Sequence, residues 1–275
     1  MRYITPYILE DLKNKMVFIG GSRQVGKMIL VKALLQEQKM PGRYFNWDYD
    51  EDRQDILLKK WSAADKLLVF DELHKYPRWK NWIKGLYDVE SELHNFLVTG
   101  SARLDIYRRG GDSLLGRYHY WRLHPFSLDE YPEHINKQEA FKRLMTVGGF
   151  PEPFIEADER QARRWRRERF DRALREGVRD LENIHNISQL SLLLDLLRSC
   201  VGGLVVIANL AQDIQVASQT IKNWIEILQR MYLVFSIKSY TKNLPRAIHK
   251  SANLTPIIKQ YFLINQCTMI CSGRT

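Results

Sequence analysis

Residues 17–30 read VFIGGSRQVGKMIL, where Gly21, Gly26 and Lys27 fit G-x-x-x-x-G-K directly after an apolar run and directly before a stretch of helical period. That arrangement narrows the possible folds more than any other feature of the chain. Glycines let backbone amides curl around an anion, the following helix N-terminus adds a favourable dipole, and a lysine ammonium at that spacing reaches the β and γ phosphates of a nucleotide. The candidate phosphate-binding residues are therefore Gly21, Ser22, Arg23, Gln24, Val25, Gly26, Lys27 and Met28. Each contribution binds an anion and none reads a base. A strand must precede such a loop and a helix must follow it, which calls for a parallel α/β sheet. The first 150 residues supply one: apolar runs predict strands over 16–19, 43–47, 67–70, 96–99 and 118–123, with helices between them, including 27–38 and 79–93. The first, third and fourth runs are apolar throughout, as in strands buried on both faces.

An ordinary glycine-rich turn is the plain alternative, and a second element weighs against it. The third strand ends in Asp71-Glu72. An aspartate there can hold a magnesium ion, usually through water, and a glutamate can polarise an attacking water. By itself the pair would be no more than a helix cap. The fourth strand ends Thr99-Gly100-Ser101, whose hydroxyls can meet a γ-phosphate or equally satisfy their own turn. Arg117, after the GGDSL loop, can supply a cation to a transition state, in cis or in trans, or be structural. The residue after Lys27 is Met28, where a hydroxyl would ligate magnesium. A thioether is a poor ligand for that hard cation, so nucleotide binding is expected to survive while metal-dependent hydrolysis is slow or absent.

At 275 residues the chain has room for about two domains. Gly148-Gly149-Phe150-Pro151 interrupts the α/β pattern and places the expected boundary there, giving 1–150 and a helical module over 151–246. Residues 160–180 carry nine Arg against four acids, read either as a solvated helix with one buried face or as a phosphate-binding face. Residues 204–235 read as a helix-turn-helix followed by a wing. Ser218 is the expected N-cap, Ile221, Trp224, Ile225, Leu228 and Met231 the inner face, and Gln219, Thr220, Lys222, Asn223 and Glu226 the outer one. Such a unit serves either DNA contact or packing and protein contact. Residues 247–275 show no helical or strand period and read as the remnant of a shortened domain. Three cysteines, no apolar leader and no long apolar run point to a soluble cytoplasmic protein with no membrane partner. The net charge of +10 is uneven: residues after Glu226 contribute +7 and the rest only +3, so the overall basicity says nothing for nucleic-acid binding by the α/β part.

Six ordered segments, GSRQVGK at 21–27, VFDELHKYPRW at 69–79, TGSARL at 99–104, SLLGR at 113–117, HPFSLDEY at 124–131 and GGFPEP at 148–153, together resemble a known family. It is the AAA-superfamily ATP-binding proteins of bacteria and archaea that carry a C-terminal domain of unknown function, built from a winged helix and a nuclease-like fold. The resemblance runs from the N-terminus to about Arg246. It implies an AAA-type P-loop NTPase fold followed by a winged-helix module, with ATP and Mg²⁺ as cofactors. Lys27 would sit on phosphate, Asp71 on the metal, Glu72 would activate water, and Ser101 would lie near the sensor position. The chain departs from the family at Ser22, at Met28-Ile29 where two threonines are usual, and in ending before the nuclease-like portion. Candidate catalytic residues are thus Glu72, Ser101 and Arg117. Expected partners are ATP, DNA through the helical module, and further copies of the chain, since an arginine acting in trans requires assembly. The expected function is ATP binding with impaired hydrolysis, against the alternative of a non-enzymatic DNA-binding or regulatory module with a degenerate nucleotide site.

Overall fold

The computed structural model describes residues 2–37, 41–100, 104, 114–181, 187–199, 205–237 and 253–256. The chain divides between Pro132 and Glu133 into two compact units. The first is built on five strands, β1 (Met16–Gly21), β2 (Gly42–Asn46), β3 (Leu67–Asp71), β4 (Asn95–Thr99) and β5 (Tyr118–Leu123), with helices α1 (Thr5–Asp11), α2 (Lys27–Glu37), α3 (Asp50–Leu57) and α4 (Trp79–Glu90). The strands run parallel in the order β2-β3-β4-β1-β5.

Alternation along the strands explains the layers. Met16 and Phe18 of β1, Leu68 and Phe70 of β3, and Phe96 and Val98 of β4 face one side, where Ile56 of α3 and Trp79, Ile83 and Leu86 of α4 cover them. Val17, Ile19, Leu67, Val69 and Leu97 face the other, against Ile4, Ile8 and Leu12 and against Leu30, Val31 and Leu34 of α2. Helices thus lie on both faces, as the sequence predicts. Burial of each such side chain contributes about 1.5–3 kcal/mol. β1 lies between β4 and β5, and the chain leaves it for the far edge at β2. At such a reversal, beyond the carboxyl ends of the strands, ligands of open α/β sheets bind.

The second unit begins with α5 (Lys137–Thr146) and α6 (Pro151–Glu156), then α7 (Glu159–Leu181), α8 (Ile187–Ser199), α9 (Ile207–Ile214), α10 (Ser218–Arg230) and a ribbon of β6 (Val234–Ile237) and β7 (Asn253–Pro256). Asn136 caps α5 by accepting from the Glu139 amide at 2.8 Å. Asp158 does the same for α7 with the amides of Arg160 and Gln161, which hold its carboxyl below the usual range. α8, α9 and α10 share one core with β6, including Leu193, Leu197, Leu210, Ile214, Ile221, Trp224 and Leu228.

Three details depart from the sequence reading. The division falls ahead of the Gly148–Pro151 break because α5 belongs with the helical unit, Arg143 donating to the Phe154 carbonyl at 3.4 Å. Ser218 is the first helical residue of α10 and not its cap, which is Ala217, without a side-chain hydrogen bond. Residues 253–256, read as patternless, form β7 and pair antiparallel with β6, Ile237 opposite Asn253. Four residues are too few to show a period, and their partner supplies the order. The sequence places the wing over 234–246, and its cations Lys238, Lys242 and Arg246 lie outside the described residues. No helix among the described residues is long and apolar enough to cross a membrane.

Candidate nucleotide site

The loop from β1 to α2 turns through three left-handed positions, Gly21 at φ +147°, Gln24 at +61° and Gly26 at +93°. Gln24 bears a side chain in a region that costs a non-glycine residue roughly 1–2 kcal/mol, a strain typical of sites where backbone amides must face a ligand. Lys27 opens α2 and folds its ammonium back over the loop, donating to the carbonyls of Gly21 at 3.1 Å and Ser22 at 2.9 Å. Gly21 has no alternative: a Cβ would lie 2.4 Å from the Leu123 carbonyl oxygen on β5. Gly21→Ala is expected to destabilise the first unit by about 2 kcal/mol, read as a lowered urea midpoint, whereas a loss below about 0.5 kcal/mol would mean that the loop relaxes freely.

Asp71 ends β3 opposite Thr99 of β4 and Asn46 of β2. Its carboxylate accepts from Tyr44 Oη at 2.6 Å and from the Thr99 hydroxyl. Burial and the bond to Asp71 raise the Tyr44 phenol far above its ordinary value, so it stays a donor. The next residue, Glu72, is left-handed at φ +56°, and its amide donates to the Thr99 carbonyl at 3.0 Å. Burial pushes the Glu72 carboxyl up and Asp71 adds to that, while Lys75, Lys27 and Arg23 oppose it. Lys27 and Arg23 are therefore within electrostatic reach of the acidic pair. Glu72 also lies 3.4 Å from Lys75 Nζ and 3.7 Å from the buried His74 ring.

The fold thus brings together Gly21, Ser22, Arg23, Gln24, Val25, Gly26, Lys27, Asp71 and Glu72. Met28 and Ile29 stand on the first turn of α2, exposed, with no hydroxyl to offer. Ser101 lies outside the described residues. Arg117 corrects the reading in cis: it precedes β5, its carbonyl accepts from Met16 at the amino end of β1, and its guanidinium pairs with Asp88 at 2.7 Å. That is the end of the sheet opposite the loop, roughly 16 Å away along a six-residue strand.

Sequence reasoning missed Tyr44, Arg2 and Glu130. Arg2 donates to the Val25 carbonyl of the loop at 3.1 Å, to the His124 carbonyl and to Glu130 at 2.7 Å. Glu130, whose side chain is 1% exposed, also accepts from the Tyr3 amide at 3.0 Å and from the Ser127 amide at 3.1 Å. A strap from each end of the unit therefore meets at the loop.

A parallel α/β sheet in the order β2-β3-β4-β1-β5, with a glycine loop closed by Lys27 after β1 and an acidic pair at the end of β3, is a P-loop-type arrangement. In agreement, residues 13–132 match the family model described as AAA domain. Residues 138–263 match another, described as a domain of unknown function. No curated protein matches the chain. Among solved structures, the chain is similar to the RuvB Holliday junction branch migration motor of Thermotoga maritima, at 13% identity and TM-score 0.40, covering 89% of this chain and 93% of that one. It is also similar to a chain of Drosophila ORC bound to DNA, at 14% identity and TM-score 0.31, covering 98% and 93%.

Proposed function

We propose that the first unit binds ATP on the loop at 21–28 and that its hydrolysis is slow. The observation that carries the reading is the convergence of Lys27, Asp71 and Glu72 beyond the carboxyl ends of β1 and β3. Loop amides and the Lys27 ammonium would hold the phosphates. Burial raises the Glu72 carboxyl, which makes it a stronger base toward an attacking water. Asp71 receives one hydroxyl bond on each oxygen and retains acceptor capacity, which fits magnesium held through water. Direct ligation by the residue after Lys27 does not fit, since Met28 offers a thioether where a hydroxyl would serve. When bound, the ion would neutralise phosphate charge.

Met28→Thr tests the reading. Magnesium-dependent ATP turnover is expected to rise about tenfold or more in the variant, with ATP affinity little changed. Equal turnover by the unaltered protein would remove the defect inferred from Met28. A trans role for Arg117 would need a homo-oligomer and release from Asp88.

A second reading concerns α9 and α10. On α10 the outward residues Gln219, Lys222, Asn223 and Glu226 are exposed, and Gln219 donates to Asn223 at 3.0 Å. This row supports DNA contact, and Glu226 on the same face weighs against it.

A further inference from the structure

The arginines of α7 sort into two sets. Arg169 is buried with its guanidinium 4.1 Å from the centre of the Phe150 ring, and Arg166 is half-buried and donates to the Thr146 carbonyl at 3.4 Å. With Ala162 fully buried and Trp165 5.0 Å from Phe150, they form the packed side of the helix. Arg160, Arg163, Arg164 and Arg167 lie three and four residues apart, hence on one face, and all four are exposed. Among the described residues only Arg164 of the four pairs with a carboxylate, Glu168 at 2.7 Å, and its side chain is still 83% exposed. Asp171 and Glu168 border the face at its far end. Like charges are crowded here: after burial, the Arg163 charge is the second cause holding Arg166 below its ordinary value, with Glu159 opposing.

We infer that this face of α7 docks the phosphodiester backbone of nucleic acid. Charge complementarity selects the partner, and the lack of anything else on the face narrows it. Over residues 159–172 of α7, where this face lies, no large hydrophobic residue is exposed. A helix lying in a membrane surface needs an apolar side to insert, and a protein partner needs an aromatic or aliphatic anchor. Guanidinium forks suit phosphate oxygens, and a row of them positions a backbone without reading its bases. Seven residues of helix span about 10 Å, which matches roughly three phosphates of one strand at about 3.4 Å of axis each. The packed side fixes the helix in its unit, so the row is held in place before a partner arrives.

Fluorescence anisotropy of the full chain with a labelled random duplex and a single strand of equal length, over a salt series, tests this surface. The variant R160Q/R163Q/R164Q/R167Q keeps side-chain length and helix propensity. It is expected to bind about tenfold more weakly at low salt, and its log–log salt slope to fall by about 2. The larger fall marks duplex or single strand as the fitted partner. Arg160→Glu and Arg163→Glu, made singly, should each weaken binding, which keeps the test decisive should the fourfold variant fail to fold. The inference is overturned if the unaltered protein binds neither strand form. It is equally overturned if Lys222→Gln on α10 abolishes binding while the α7 variants bind unchanged, or if phosphatidylserine vesicles bind as tightly as nucleic acid.

Discussion

Lys27→Ala is expected to lower ATP affinity about a hundredfold, the largest functional effect of any single change in the first unit. Two charge-assisted hydrogen bonds to phosphate, at roughly 1.5–3 kcal/mol each, account for that size. In the structure the Lys27 ammonium donates to the carbonyls of Gly21 and Ser22. An arriving phosphate exchanges those weaker bonds for stronger ones and keeps the lysine where it already lies. Calorimetric titration with ATP checks the prediction, and a loss below about threefold would place the phosphates elsewhere. Thermal unfolding supplies the control. ATP that binds only the folded chain should raise the midpoint of the unaltered protein by mass action and leave that of the variant nearly unmoved.

Much of this site is legible without coordinates, for local reasons. Leu67–Asp71 is a short apolar run with a carboxylate at its end, and a run of that kind is both a buried strand and a pointer to the carboxyl edge of a parallel sheet. The loop carries its own geometry in Gly21 and Gly26. Arg117 shows how the same logic is misapplied: a residue that precedes a parallel strand lies at the amino edge, and its distance from the loop follows from strand direction alone. Tyr44 was readable in principle. It sits two residues before the end of β2, on the side shared with Asn46, which pairs with Asp71. The order of strands, which makes β2 and β3 neighbours, is what the sequence does not state. Arg2 and Glu130 are harder still, 128 positions apart and joined only by the fold.

Glu130→Ala is expected to destabilise the first unit by about 3–5 kcal/mol, the largest loss of stability foreseen. Arg2 is 11% exposed at its side chain and Glu130 1%, so deleting the acid strands a guanidinium that water cannot reach well. It also leaves the amides of Tyr3 and Ser127 without their acceptor. Urea unfolding of the first unit's transition measures the loss, and one below about 1 kcal/mol would show that Arg2 finds solvent or another acceptor. The double variant Arg2→Met/Glu130→Leu separates charge from position. Replacing both ions by apolar groups removes the stranded charge and should restore much of the stability. It cannot restore the bond from Arg2 to the Val25 carbonyl, so ATP affinity should stay below that of the unaltered protein by about threefold to tenfold. A double variant that regained full ATP affinity together with stability would reduce the strap to packing, whereas regained stability with weak binding would make it part of the phosphate loop's support.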